Sequence, residues 1–284
     1  MTLWLAPEAI AAWTPRRSGT RGGQWRYSDL AIETALTLRL IYHLPLRQAE
    51  GFLNSLFATM ELALSAPDYT TLSRRGQRLS RRLRPVPRSE GIHLVLDSTG
   101  LSIVGEGEWA ALKHGGRGRR GWKKLHVGVD LAGVIHAHAL TGATGDDAKT
   151  GLDLISAVQA DLVGVIADPA YDTVAVYDTA GARGATVVVP PARTANVSRH
   201  GRRSRARDRT IASVKKLGRR RWKTVSGYHR QARVENTFFR YKSIIGGCLH
   251  ARSPEGQGSE AVLACNILNR MTDLGRPASY RLGK

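Results

Sequence analysis

The chain has 284 residues, with 43 Lys and Arg against 23 Asp and Glu, a formal net charge of +20. That length exceeds the usual single-domain size and allows a real core, so one large domain with a smaller companion is expected. The charge favours a polyanionic partner, nucleic acid first, and says little about fold. No apolar run approaches the ~18 residues of a membrane span, which excludes that class. The two cysteines, Cys248 and Cys265, lack CxxC or metal-ligand spacing. They read as core packing in a reducing compartment rather than as a staple or zinc site. Met1 to Trp13 has no basic n-region and carries Glu8, so a signal peptide is not expected and a cytoplasmic location is.

Much of the basic excess lies in blocks. Residues 74 to 88 hold seven Arg and no acid, residues 113 to 124 hold six Lys or Arg and no acid, and residues 199 to 223 hold twelve against Asp208 alone. A charge serving only solubility would mix its signs; these blocks read as a footprint for phosphates.

The first ninety residues read as helices. Ser28 is a candidate N-cap, Asp29 sits in the first turn, and Leu30, Thr34, Thr37, Ile41 and Leu44 fall near one face before Pro45 ends the run. Leu46, Ala49, Leu53, Leu56 and Phe57 supply a second helical stripe, so Leu44-Pro45 is a tight joint of the helix-turn-helix kind. A third helix is expected over Thr70 to Arg84, capped by Asp68 or Thr70 and stopped at Pro85. Its Leu72, Leu79 and Leu83 pack on one side, opposite Arg74, Arg78, Arg81 and Arg82. With Arg75, these are the candidate DNA contacts of the region.

From residue 91 the period changes. Ile92 to Leu96 form an apolar strand ending at Asp97, with Leu101 to Val104 as its continuation; Leu125 to Leu131 and Val134 to Leu140 complete a three-stranded meander around a turn at Asp130 to Gly133. Asp146 or Asp147 caps a helix from Ala148 to Gln159. Val163 to Ala167 is a short, continuously apolar strand closed by Asp168. A helix near Thr173 to Ala180, a strand at Thr186 to Val189 and a final helix from about Tyr228 follow. This order fits a mixed α/β fold, an RNase H-like sheet with helices on both faces. Residues 193 to 222 show no apolar period and read as a loop that orders only on DNA.

Asp97 and Asp168 at strand ends and Glu235 on the last helix are the candidate catalytic and metal-binding carboxylates, because two-metal phosphodiester chemistry needs acidic oxygens from separate elements around cations roughly 3.5 to 4 Å apart. Asp172 is the rival to Asp168, but it precedes Thr173 and suits a helix cap. On the final helix Tyr228, Gln231, Glu235 and Lys242 fall close to one face, with Val234, Phe238 and Phe239 making the core contact. Tyr228, Arg230, Gln231 and Lys242 are its candidate DNA contacts.

These residues carry a resemblance. Tyr27 to Glu50, Asp68 to Arg75, Leu96 to Gly100, Lys124 to Asp130, Ala167 to Asp172 and Tyr228 to Lys242 together resemble the bacterial insertion-sequence transposases with a DDE triad, most similar to the insertion-sequence-five family. The resemblance spans roughly residues 27 to 275 and departs at Gln231, where that family has Arg, so one of the family's phosphate contacts is not implied here. It implies an N-terminal helix-turn-helix-like DNA-binding domain (1–90), an RNase H-like catalytic domain (91–275) with an Arg-rich insertion (193–222), and a short tail (276–284). It further implies two Mg²⁺ or Mn²⁺ ions held by Asp97, Asp168 and Glu235, binding of terminal inverted repeats, 3′-OH transfer to target DNA, and a homo-oligomer on double-stranded DNA with no membrane role.

Overall fold

The computed structural model describes residues 6–16, 19, 21–80, 82–87, 89–104, 121–198 and 205–275. The chain divides into two compact units, Met1–Arg82 with His250–Ala264, and Leu83–Leu249 with Cys265–Lys284. Residues 250–264, read from the sequence with the catalytic domain, thus cluster with the N-terminal helices. Arg81, Arg88, residues 113–120 and 199–204 of the basic blocks, and the 276–284 tail lie outside the described residues.

The first unit contains α1 (Pro7–Ala11), α2 (Asp29–Ile41), α3 (Leu46–Thr59) and α4 (Tyr69–Gly76). Ser28 caps α2, its Oγ accepting the Ala31 N–H at 3.2 Å. The face that α2 buries is Ile32, Leu36 and Leu40 with Ala31 and Ala35; Leu30, expected to pack, is 41% exposed. Asp68 caps α4 by accepting the Thr70 and Thr71 N–H groups at 3.0 and 2.9 Å.

The third helix is shorter than expected, ending at Gly76. Glycine is a poor helix residue by about 1 kcal/mol, and beyond it the Ser80 Oγ accepts the Arg82 N–H, a local bond that competes with helical pairing. Arg78 and Arg82 therefore lie beyond the helix rather than on its outer face. Arg75 turns inward and is 8% exposed; its guanidinium donates to the Tyr27 carbonyl and Asp29 and lies 3.6 Å from the Trp25 ring centroid.

In the second unit, β1 (Ile92–Ile103) is one continuous strand, flanked by β2 (Trp122–Val129) and β3 (Ile135–Gly142) in an antiparallel meander and by β4 (Leu162–Ala167) and β5 (Thr186–Val188) in parallel; the order is β3-β2-β1-β4-β5. A short β6 (Cys248–Leu249) pairs in parallel with the end of β1. Asp97 therefore lies within β1, opposite Val127, and not at a strand terminus. Pairing with β2 carries the strand past it, because Thr99 and Leu101 continue the extended register against Leu125 and Lys123.

Helices α5 (Asp147–Ala157) and α6 (Val174–Ala182) cover one face of the sheet. Leu94 and Leu96 from β1, Leu154 and Ile155 from α5, Val165 from β4, and Val176 from α6 form a continuous core there with Tyr171. This is the layered mixed α/β architecture, with helices on a mixed sheet, of an RNase H-like domain. Helix α9 (Ala232–Ile244) packs against β1 and β2, burying Val234, Phe238 and Tyr241.

Within the stretch read as a loop, residues 205 onward instead form a helical hairpin, α7 (Arg205–Leu217) and α8 (Arg219–Val225). Two apolar anchors, Ile211 and Trp222, are buried, and polar pairs fix the remainder. Arg207 joins Asp172, Asp208 accepts the Ser198 N–H at 3.0 Å, and Arg219 donates to the Pro191 carbonyl at 2.7 Å. Charge here binds the segment to the fold, which apolar periodicity does not detect.

Candidate active site

Register brings the first two carboxylates together. Leu96 of β1 is level with Ala167 of β4 in a parallel ladder, and Asp97 and Asp168 are the next residue on each side. Neighbouring strands lie about 4.8 Å apart. The chain turns at Asp168, whose Oδ1 accepts the Ala170 N–H at 2.9 Å to cap a 3₁₀ turn at Pro169–Tyr171. Asp97 accepts the Ser98 N–H at 2.7 Å.

Glu235 stands exposed in the first turn of α9, within electrostatic reach of Asp97. Burial, together with repulsion from Asp168, Asp147 and Glu235, pushes the Asp97 carboxyl up to about 6. Asp168 is also raised, by burial first and then by Asp147. A cluster whose members resist ionisation lacks countercharge, and a cation would supply it.

Asp172 is not the helix cap. Thr173 caps α6, its Oγ1 accepting the Val176 N–H, while the Asp172 carboxylate accepts the Ala192 N–H and the Arg207 guanidinium.

The helix read from the sequence as the last is followed by another, Pro254–Asp273. Tyr228–Gln231 form a 3₁₀ turn ahead of α9 rather than its first turn, yet Tyr228, Gln231 and Glu235 all reach the neighbourhood of Asp97. Tyr228 lies beside the carboxylates; burial, then Asp168, Asp97 and Glu235, raise its hydroxyl above the usual range. Its ring is held against Lys223, 4.9 Å from the centroid, and Trp222, 6.4 Å between centroids. Arg230 is exposed and points at His93, 3.4 Å away, upstream of Asp97 on β1. Gln231 is buried, 7% exposed, and donates to the Leu96 carbonyl at 3.2 Å. Lys242 is exposed two turns beyond Glu235, and Phe239 between them is 69% exposed rather than in the core.

Sequence reading missed a fourth carboxylate. Asp146 alone caps α5, through the Lys149 N–H, leaving Asp147 to accept from Ser98 Oγ at 2.7 Å and Lys124 Nζ at 2.6 Å, with His126 Nδ1 at 3.3 Å. Ser98 and His126 are directly paired across β1 and β2, and Lys124, two residues on, shares their face. Burial works against ionisation of Asp147, but Lys124 and Ser98 hold its carboxyl below the usual range. The signal was the Asp-Asp doublet: one residue suffices for a cap.

Two family models match, each described as a Transposase DDE domain, one over residues 88–270 and one over residues 1–106. The chain belongs to the DDE transposases. It is accordingly a metal-dependent enzyme that cuts DNA and transfers strands. Among the described residues no three His, Cys, Asp or Glu side chains close around one point as a ready ion cage. The donor set nonetheless fits a hard divalent cation, since such ions are commonly held by one or two carboxylates with the rest of the shell from water and substrate phosphate. Among the described residues no helix is long and apolar enough to cross a membrane.

Proposed function

We propose that Asp97, Asp168 and Glu235 are the catalytic triad of this transposase and hold two Mg²⁺ or Mn²⁺ ions. The observation that carries the reading is the parallel register that sets Asp97 beside Asp168, with Glu235 adding to the same field. When bound, the ions would activate a water or 3′-hydroxyl and stabilise the leaving oxygen. The chain's own residues supply the frame: Ser98 and Ala170 N–H groups orient the two aspartates, and Tyr228 walls one side.

The protein binds the terminal inverted repeats of an insertion sequence of the insertion-sequence-five kind, frees 3′-hydroxyls and joins them to target DNA, acting as a homo-oligomer on the bacterial nucleoid. The helix-turn-helix-like N-terminal region, with the exposed Arg74 and Arg82, contributes DNA contacts; Lys242 and Tyr228 serve the strand at the active site. Arg75 and Gln231 are withdrawn from that role by their burial.

Purified protein incubated with donor ends, a target plasmid and Mg²⁺ tests the reading. Joined products are expected, and Asp97→Ala should abolish cutting while sparing salt-sensitive DNA binding. Mg²⁺-dependent cutting retained by Asp97→Ala would refute the assignment.

A further inference from the structure

Gln231 lies in the turn that leads into α9, between the strand of Asp97 and the helix of Glu235. Its side chain is enclosed, and its amide nitrogen donates to the carbonyl of Leu96 across a sequence separation of 135 residues. Leu96 immediately precedes Asp97. Glu235 follows Gln231 by four residues, about 6 Å of helical rise.

We infer that Gln231 is a positioning residue that sets the spacing between the Asp97 strand and the Glu235 helix, and thereby tunes the affinity of the site for its divalent cation. This rests on the proposed triad. One hydrogen bond at the start of α9 acts at close range on two carboxylates carried by elements far apart in sequence. A neutral amide suits the place: it holds the Leu96 carbonyl without placing a fixed positive charge beside the carboxylates that are to receive a cation. The Gln231 Oε1 is buried with no hydrogen-bond partner among the described residues, so the donor end is the one the fold uses.

The test uses the full-length protein with Mn²⁺ or Mg²⁺ alone. Thermal shift against metal concentration, without DNA, reads metal binding; affinity for an arbitrary duplex across a salt series reads phosphate contact. Gln231→Met keeps the volume and removes the donor, and Gln231→Asn keeps the amide but shortens its reach. Both should raise the metal concentration for half-maximal shift by about tenfold, the lower end of what loss of an orienting partner costs. Duplex affinity and its salt slope should not change. An unchanged metal midpoint in a folded variant, or a reduced salt slope, overturns the inference. Asp97→Asn separates the two levels: if it shifts with metal as the wild type does, the triad reading itself fails; if it does not shift while Gln231→Met matches the wild type, only the positioning role fails.

Discussion

Arg207 grips Asp172 through two N–H···O hydrogen bonds of 2.7 and 2.9 Å, tying α7 to the turn that follows Asp168. The Asp172 side chain is 1% exposed, so the pair is a buried one and its rupture leaves a charge without its partner. Arg207→Met is expected to destabilise the protein by about 3 kcal/mol, read as a lower midpoint in urea or heat. Adding Asp172→Asn should recover part of the loss, because the charge left behind is then removed. No recovery in the double variant would argue against the pair as the cause.

The raised Asp97 carboxyl predicts how the metal-free protein responds to pH. Its folded value of about 6 lies above the unfolded value of about 3.9, so protonation favours the fold. That contribution is fully present below about pH 4 and is lost as pH rises through about 6. Asp97→Asn should therefore raise the Tm of metal-free protein at pH 7.5 and change it little at pH 4, with the gap between the two proteins opening above about pH 4 and reaching its full size just above about pH 6. A constant gap across that range would show that Asp97 ionises without strain. Metal should stabilise the wild type in the same high-pH range, since it replaces the missing countercharge.

The parts legible in the sequence were those with a local signal. Strand period, caps at Ser28 and Asp68, and the run ending at Asp168 are set by neighbours within a few residues, so both the mixed sheet and the candidate aspartates could be read. What escaped depends on partners distant in sequence. Asp147 joins the carboxylate cluster only because Lys124 and Ser98, on two different strands, converge on it. The α7–α8 hairpin is fixed by Arg207 and Arg219 reaching Asp172 and a carbonyl of Pro191, which in sequence look like surface charge. Gln231 looks like a polar surface residue in the sequence, and its burial depends on Leu96, 135 residues away.

Gly151 tests how tightly the Asp168 turn is packed. A Cβ on Gly151 of α5 would lie 2.8 and 2.9 Å from ring carbons of Tyr171, a side chain that is 1% exposed and so has no room to withdraw. Alanine improves helix propensity by about 1 kcal/mol, but overpacking costs about 1–3 kcal/mol. Gly151→Ala should lower Tm and, because Tyr171 lies three residues after Asp168, lower cleavage more than an equal loss of stability elsewhere. A gain in Tm would mean that the turn yields.

The exposed basic face of the hairpin gives a prediction about DNA. Arg205, Arg209, Arg220 and Arg221 are exposed, whereas Arg207 and Arg219 are engaged within the protein. If the exposed set meets phosphates, replacing it with glutamine should reduce the slope of log affinity against log salt by about 0.9 for each phosphate no longer neutralised, leaving Tm nearly unchanged because surface charges contribute little to stability. Arg207→Met should behave oppositely, lowering Tm with a smaller effect on the slope. The two variants together separate arginines that hold the hairpin from arginines that hold DNA; an unchanged slope for the four-residue variant would assign that face to solvent.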